Sequence, residues 1–228
     1  MERTVQHDVP LARPSTKTYC GLAKIYYLAR SSIQVSLMKT VYLTGAPSAG
    51  KSTTARALRE RIPGLMLWEY GAELTRYVSD RSPETTQEDL RRLSANFISP
   101  EDISAVDEKL LEFVKTNRAA HPIIIDSHPV TKEDYGYRVT AFSADQIRVL
   151  SPDEIWVLFT PPEVAVDRIN LAAEGRAKVN TEQARLHTSL QVSVAASYGI
   201  AAGRPVYLFD SSVDQQALVE RLVVRLKK

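Results

Sequence analysis

The sequence predicts a three-layer α/β/α fold in which a five-stranded parallel sheet is covered by helices on both faces. Three observations predict it. Short apolar runs alternate five times with amphipathic stretches along the 228 residues, the pattern of parallel strands joined by crossover helices. The runs are apolar at successive positions rather than alternate ones, as strands buried on both faces require. The polar residues best able to do chemistry fall just after strand ends, where open α/β sheets bind ligands.

The first strand, about Thr40–Leu43, leads into Gly45-Ala46-Pro47-Ser48-Ala49-Gly50-Lys51-Ser52 and then Thr53. This is the spacing of a phosphate-binding loop: a glycine, four residues, then Gly-Lys-Ser. Gly45 and Gly50 permit backbone angles and approaches that a Cβ obstructs, so successive N–H groups can turn inward around a phosphate. The loop delivers that phosphate to a helix N-terminus, where free N–H donors and the dipole favour anions. Lys51 can reach the β- and γ-phosphates, and the Ser52 hydroxyl can ligate Mg²⁺. The expected cofactors are ATP and Mg²⁺.

The first helix runs about Gly50–Ile62, with Ala55, Leu58 and Ile62 inward, and Pro63-Gly64 stops it. Leu65–Trp68 is a second strand ending at Glu69-Tyr70-Gly71, a polar cluster at the ligand edge, and a helix over about Ala72–Val78 follows. The polar loop Ser79–Thr86 and the basic cluster Leu90–Leu93, which contains Arg91, come next. Glu101–Asn117 is an amphipathic helix with Ile103, Val106, Leu110, Phe113 and Val114 on its core face.

Pro122–Asp126 is a β-branched strand ending in a carboxylate. Beside a phosphate loop such an Asp holds Mg²⁺ or its waters; the alternative is an Asp that caps a turn. His128 is either a structural histidine or a substrate contact. Thr131–Ser143 is expected to be a loop, with a short helix to Leu150 after it.

Glu154–Thr160 is the fourth strand, and Pro161-Pro162-Glu163 suits the start of a helix. Asn180 with Gln183 forms a capping box for a helix running towards Gly199 or Gly203. Arg204–Asp210 is the fifth strand, and Val213–Leu226 closes the chain with Leu218, Val219, Leu222, Val223 and Leu226 inward.

Composition excludes several classes. No segment offers the ~18 apolar residues of a membrane helix, and the single Cys20 forms no internal disulfide, so a reducing cytoplasmic setting is expected. The net charge of +2 gathers in residues 1–37, where Arg3, Arg13, Lys17, Lys24 and Arg30 outnumber Glu2 and Asp8. The near-neutral remainder gives no field argument for nucleic acid. Residues 1–37 have no clear period, and Met38 directly precedes the first strand. The expected organisation is an N-terminal extension, disordered or a mis-set start, followed by one catalytic domain over residues 38–228.

Four stretches together resemble the archaeal-type adenylate kinases of the phosphate-loop nucleoside monophosphate kinases: GAPSAGKSTT, the strand end IIIDSH, the LSPDEI entry to the fourth strand, and His187 to Gly203 with Ala195, Ala196, Tyr198 and Gly199 between. The resemblance covers about residues 39–210. It implies a sheet of order 2-3-1-4-5, ATP on the phosphate loop and a second nucleotide held after the second strand. Carried over by position, Gly71 approaches that nucleotide, Arg91 meets its phosphate and Asp126 serves Mg²⁺. The family also suggests homo-oligomers. Its lid presents two arginines one residue apart, whereas Glu174-Gly175-Arg176 retains only Arg176, and its Asn-Arg pair in the late helix is Gln191-Val192 here. Arg138 and Arg168 are candidate replacements or surface ion-pair residues.

The expected activity is an ATP- and Mg²⁺-dependent transfer to a nucleoside monophosphate or similar small molecule. Lys51, Arg138 and Arg176 would be the catalytic cations, and Glu69, Tyr70, Gly71, Arg91 and His128 the acceptor contacts. A hydroxyl acceptor would instead need a base, for which Glu69 is the candidate unless it caps the following helix. A third possibility is a nucleotide-binding regulatory module with slow ATP hydrolysis and little transfer.

Overall fold

The chain is described by a computed structural model covering residues 38–81, 98–171 and 178–228. Its first strand, β1 (Thr40–Gly45), is buried at every position, because it lies at the centre of the sheet with helices on either side. The elements follow as α1 (Lys51–Arg61), β2 (Met66–Glu69), α2 (Tyr70–Arg81), α3 (Pro100–Asn117), β3 (Ile123–Asp126), β4 (Val130–Glu133), β5 (Gly136–Val139), α4 (Ala144–Leu150), β6 (Glu154–Phe159), α5 (Pro162–Leu171), α6 (Thr181–Ala202), β7 (Val206–Asp210) and α7 (Gln215–Leu226).

The main sheet has the order β2-β3-β1-β6-β7, all neighbours parallel. Counted within that sheet this is the expected 2-3-1-4-5. The apolar runs divide strictly between two cores. Val41, Leu43, Ile124, Trp156 and Leu158 face α1 and α7, where they meet Leu58, Leu218 and Leu222. Tyr42, Ile123, Ile125, Ile155 and Val157 face the other way, towards Val106, Leu110, Ile147, Ala195 and Tyr198. Each large side chain so buried contributes about 1.5–3 kcal/mol, which is why alternation with polar residues is absent from these strands.

Two sequence expectations change. Thr131–Ser143 is not a plain loop: β4 and β5 pair antiparallel as a separate hairpin, Thr131 opposite Arg138 and Lys132 opposite Tyr137. Gly136 supplies the φ of 141° at its turn, a conformation that glycine adopts without a Cβ penalty. The second helix starts at Tyr70, directly after β2, rather than near Ala72. The predicted capping box holds: the Asn180 side chain accepts from Gln183 N at 2.8 Å and Asn180 N donates to Gln183 Oε1 at 3.0 Å. Ser99 with Asp102 and Ser143 with Gln146 form two more boxes. No described helix is long and apolar enough to cross a membrane.

Candidate active site

The C-terminal ends of β1, β2 and β3 converge on one edge, and the register sets Leu43, Asp126 and Glu69 side by side on adjacent strands. The phosphate loop springs from this edge. Gly45 has φ 153°, and a Cβ there would run into the Leu158 carbonyl oxygen of β6, so only glycine lets the chain leave the sheet at that point. Ser48 (φ 65°) and Gly50 (φ 76°) complete the curl, and Ala49 N donates to Ala46 O at 3.2 Å across it. Gly50 caps α1 without any side chain. The first N–H groups of that helix, on Lys51, Ser52 and Thr53, have no helical acceptor and face the loop end. This is the anion cradle that the sequence spacing demands.

Arg168 on α5 fixes the loop from outside, donating to the Ser48 carbonyl at 3.2 Å and the Ser211 carbonyl at 3.1 Å. It joins the phosphate loop to the turn after β7. Gln215 adds a second tie, donating to Thr54 Oγ1 at 3.0 Å.

Ser52 Oγ donates to Asp126 Oδ2 at 2.8 Å. Asp126 is buried, 6% exposed. Burial pushes its carboxyl above the usual carboxylate range, and neighbouring Glu69 adds to this, while Lys51, the Ser52 hydroxyl and Arg56 partly offset it. Such a carboxylate gains most from an arriving cation. No group of three or more His, Cys, Asp or Glu side chains is placed to hold a metal ion among the described residues. One hydroxyl and one carboxylate beside a phosphate cradle fit Mg²⁺, which keeps several waters and is completed by substrate phosphates.

At the end of β2, Glu69 receives a hydrogen bond from Arg56 Nη2 at 2.9 Å. Arg56 lies one turn after Ser52 on α1, so the Ser52–Asp126 and Arg56–Glu69 pairs line the same face of that helix. Gly71 and His128 are exposed neighbours: a Cβ on Gly71 would sit 3.7 Å from His128 Cε1. Tyr70 is placed elsewhere. Its hydroxyl donates to Asp107 Oδ1 at 2.6 Å, Gln146 Nε2 holds the other oxygen at 2.9 Å, and the ring stacks edge-on with Phe142. Tyr70 therefore anchors α2 to α3 and α4, and its hydroxyl is turned to Asp107 instead of serving as an acceptor contact. Arg91 and Arg176 lie outside the described residues.

The β4–β5 hairpin stands beside this edge because β3 runs into it through Ser127 and His128. A stripe on α6 holds it. The Gln183 carbonyl accepts from Tyr137 Oη at 2.7 Å, His187 Nε2 meets the Val130 carbonyl at 3.0 Å, and Gln191 Nε2 donates to the same carbonyl at 3.3 Å. The other end of the fully buried Gln191 amide accepts from Thr44 Oγ1 at 3.2 Å, immediately before the phosphate loop. Burial lowers the pKa of His187, and Lys51 and Lys132 lower it further against the Val130 bond. The neutral ring donates through Nε2, since a carbonyl can only accept. Arg138 pairs with Glu133 across the hairpin at 3.0 Å.

Sequence reasoning missed Arg56 and the tie between Thr44 and Gln191. Arg56 carried a signal, since it lies four residues after Ser52 and shares its helix face. The Thr44–Gln191 bond joins residues 147 apart and left no local signal.

The fold and loop define a P-loop α/β enzyme of the kinase class, within the nucleoside-monophosphate-kinase-like superfamily. A family model described as an AAA domain matches residues 44–185, and the chain belongs to that family. It is 24% identical over 177 residues to an adenylate kinase of Pyrococcus furiosus, covering 77% of this chain and 87% of the relative. A guanylate kinase of Mycobacterium sp. (strain MCS) is 26% identical over 158 residues, covering 66% and 75%. The shikimate kinase structure from Bacteroides thetaiotaomicron superposes with a TM-score of 0.52 at 18% identity, over 83% of this chain and 99% of that one.

Proposed function

We propose that the protein is an ATP- and Mg²⁺-dependent phosphotransferase acting on a nucleoside monophosphate or a similar small molecule. The observation that carries this reading is the 2.8 Å bond between Ser52 Oγ and Asp126 Oδ2 at the mouth of the phosphate loop. A hydroxyl and a carboxylate at that place are what a phosphate-bound Mg²⁺ needs. Ser52 and Asp126 would hold Mg²⁺, which would supply neutralising charge at the nucleotide phosphates. Lys51 and Arg176 would neutralise the transferring group, while Glu69, Gly71, Arg91 and His128 would line the acceptor pocket. The adenylate and guanylate kinases among the relatives support a monophosphate acceptor.

One observation favours a hydroxyl acceptor as a second reading. Glu69 is in register with Asp126 and is held in place by Arg56, a geometry in which its carboxylate could accept a hydroxyl proton. Phosphate transfer from Mg·ATP to a panel of nucleoside monophosphates, nucleosides and sugars, with Lys51→Ala as the blank, tests both. Transfer to a monophosphate that survives Glu69→Gln supports the first reading, and transfer to a hydroxyl lost in that variant supports the second. Slow phosphate release without any transfer overturns both and leaves a nucleotide-dependent regulatory module. We also propose a cytoplasmic setting and a homo-oligomer.

A further inference from the structure

We propose that Lys132, on the β4–β5 hairpin, is a catalytic cation that meets the γ-phosphate of the bound nucleotide. The inference rests on the phosphotransferase reading above and adds a residue to it.

The hairpin carries two cations with different surroundings. Arg138 is neutralised by Glu133. Lys132 has no carboxylate partner among the described residues: its Nζ donates to the neighbouring Glu133 carbonyl at 2.7 Å and lies 5.6 Å from the Tyr137 ring centroid. A half-buried ammonium without a counter-ion is costly until an anion arrives. Register gives its direction. Side chains on one strand alternate faces, so Lys132 shares a face with Val130 and with Tyr137, its cross-strand partner. That face rests on α6, where the Tyr137 ring packs edge-on against His187 with centroids 5.1 Å apart. The next contact along the stripe, Gln191, is bonded to Thr44 at the root of the phosphate loop. Both Lys51 and Lys132 lower the pKa of the same imidazole, after burial. A second ammonium on the hairpin beside the root of the phosphate loop suits a phosphoryl group in transit, because transfer is promoted chiefly by charge placed around the equatorial oxygens. In that step the acceptor oxygen forms a bond to the γ-phosphorus and the bond to the β-bridging oxygen breaks. The leaving ADP takes the electron pair, and any acceptor proton goes to Glu69 or solvent.

The test compares the full chain with Lys132→Met and Lys132→Arg. Calorimetric binding of Mg·ATP and Mg·ADP reads the contact without turnover. Lys132→Met should reduce the preference for ATP over ADP roughly tenfold, as the loss of one charge-assisted hydrogen bond implies. Lys132→Arg should retain most of that preference. With the best acceptor, kcat/KM for ATP should fall at least about a hundredfold in Lys132→Met, roughly tenfold of it as a raised KM that follows the weaker ATP binding and the rest as a lower kcat. An unchanged ATP-to-ADP preference in a folded Lys132→Met protein overturns the inference. So does equal loss in the Arg variant, which would indicate a packing role. If no acceptor is phosphorylated by the wild type, the phosphotransferase reading fails, and the binding comparison still decides the contact.

Discussion

Replacing Gln191 by Met keeps the shape of the side chain and removes both of its hydrogen bonds. The site is fully buried, so water cannot substitute. The Val130 carbonyl keeps His187 at 3.0 Å and loses little, but Thr44 Oγ1 loses its 3.2 Å acceptor. An orphaned buried hydroxyl costs about 1–3 kcal/mol, and removing both partners together can be nearly neutral. Gln191→Met and Thr44→Val should therefore each destabilise by about 2 kcal/mol, and the double variant by no more than about 2 kcal/mol in total. For a chain of this length each single variant should lower Tm by about 4–8 °C. Urea unfolding of the four proteins gives the coupling energy, expected near 2 kcal/mol in magnitude. Strict additivity of the two substitutions would refute the bond and, with it, the link from α6 to the phosphate loop.

Asp126→Asn should separate stability from activity: with the desolvated charge gone the ligand-free protein melts no lower than wild type, while turnover with Mg·ATP falls by about 10²–10³, and a parallel loss of both would contradict the metal role. Gly71→Ala meets only His128 at an ordinary 3.7 Å, so the melting curve should barely move while the acceptor KM rises several-fold and the ATP KM does not; equal changes in both would place the acceptor elsewhere. Glu154 is pushed up by burial but pulled down more strongly by hydrogen bonds from Lys39, the Trp156 indole and Arg225, leaving its pKa below the ordinary value. A depressed carboxylate stabilises above its unfolded pKa, about 4.3, and that stability is lost as pH falls through the lower folded value. Glu154→Gln should cost about 3 kcal/mol at neutral pH and flatten the acid limb of the stability curve. An unchanged acid limb would show that the network carries no proton linkage.

The five sheet strands were legible because each lies between two helix layers and is apolar at consecutive positions. The phosphate loop was legible because its geometry demands glycine at Gly45 and Gly50. The hairpin was not. Val130–Glu133 and Gly136–Val139 are four residues each and mostly polar, since one face meets a helix through hydrogen bonds rather than apolar packing. Tyr70 misled for a related reason: an aromatic polar residue after a strand end reads as a ligand contact, yet its hydroxyl is satisfied by Asp107 on a helix far along the chain. Pairings such as Arg56 with Glu69 and Thr44 with Gln191 depend on how separate elements meet, which no local pattern encodes.

The three anchors on α6, at positions 183, 187 and 191, are spaced by four residues and so share one angular phase of the helix. Phase is a stricter constraint than composition. Adding or deleting one residue between them would rotate everything beyond it by about 100°, a 3.6-residue turn divided into single steps, and swing Gln191 away from Thr44. Length changes in this family member are thus tolerable at the hairpin tip around Asp134 and Tyr135, where both residues are exposed, and intolerable along α6, which works as a ruler between the nucleotide cradle and the hairpin.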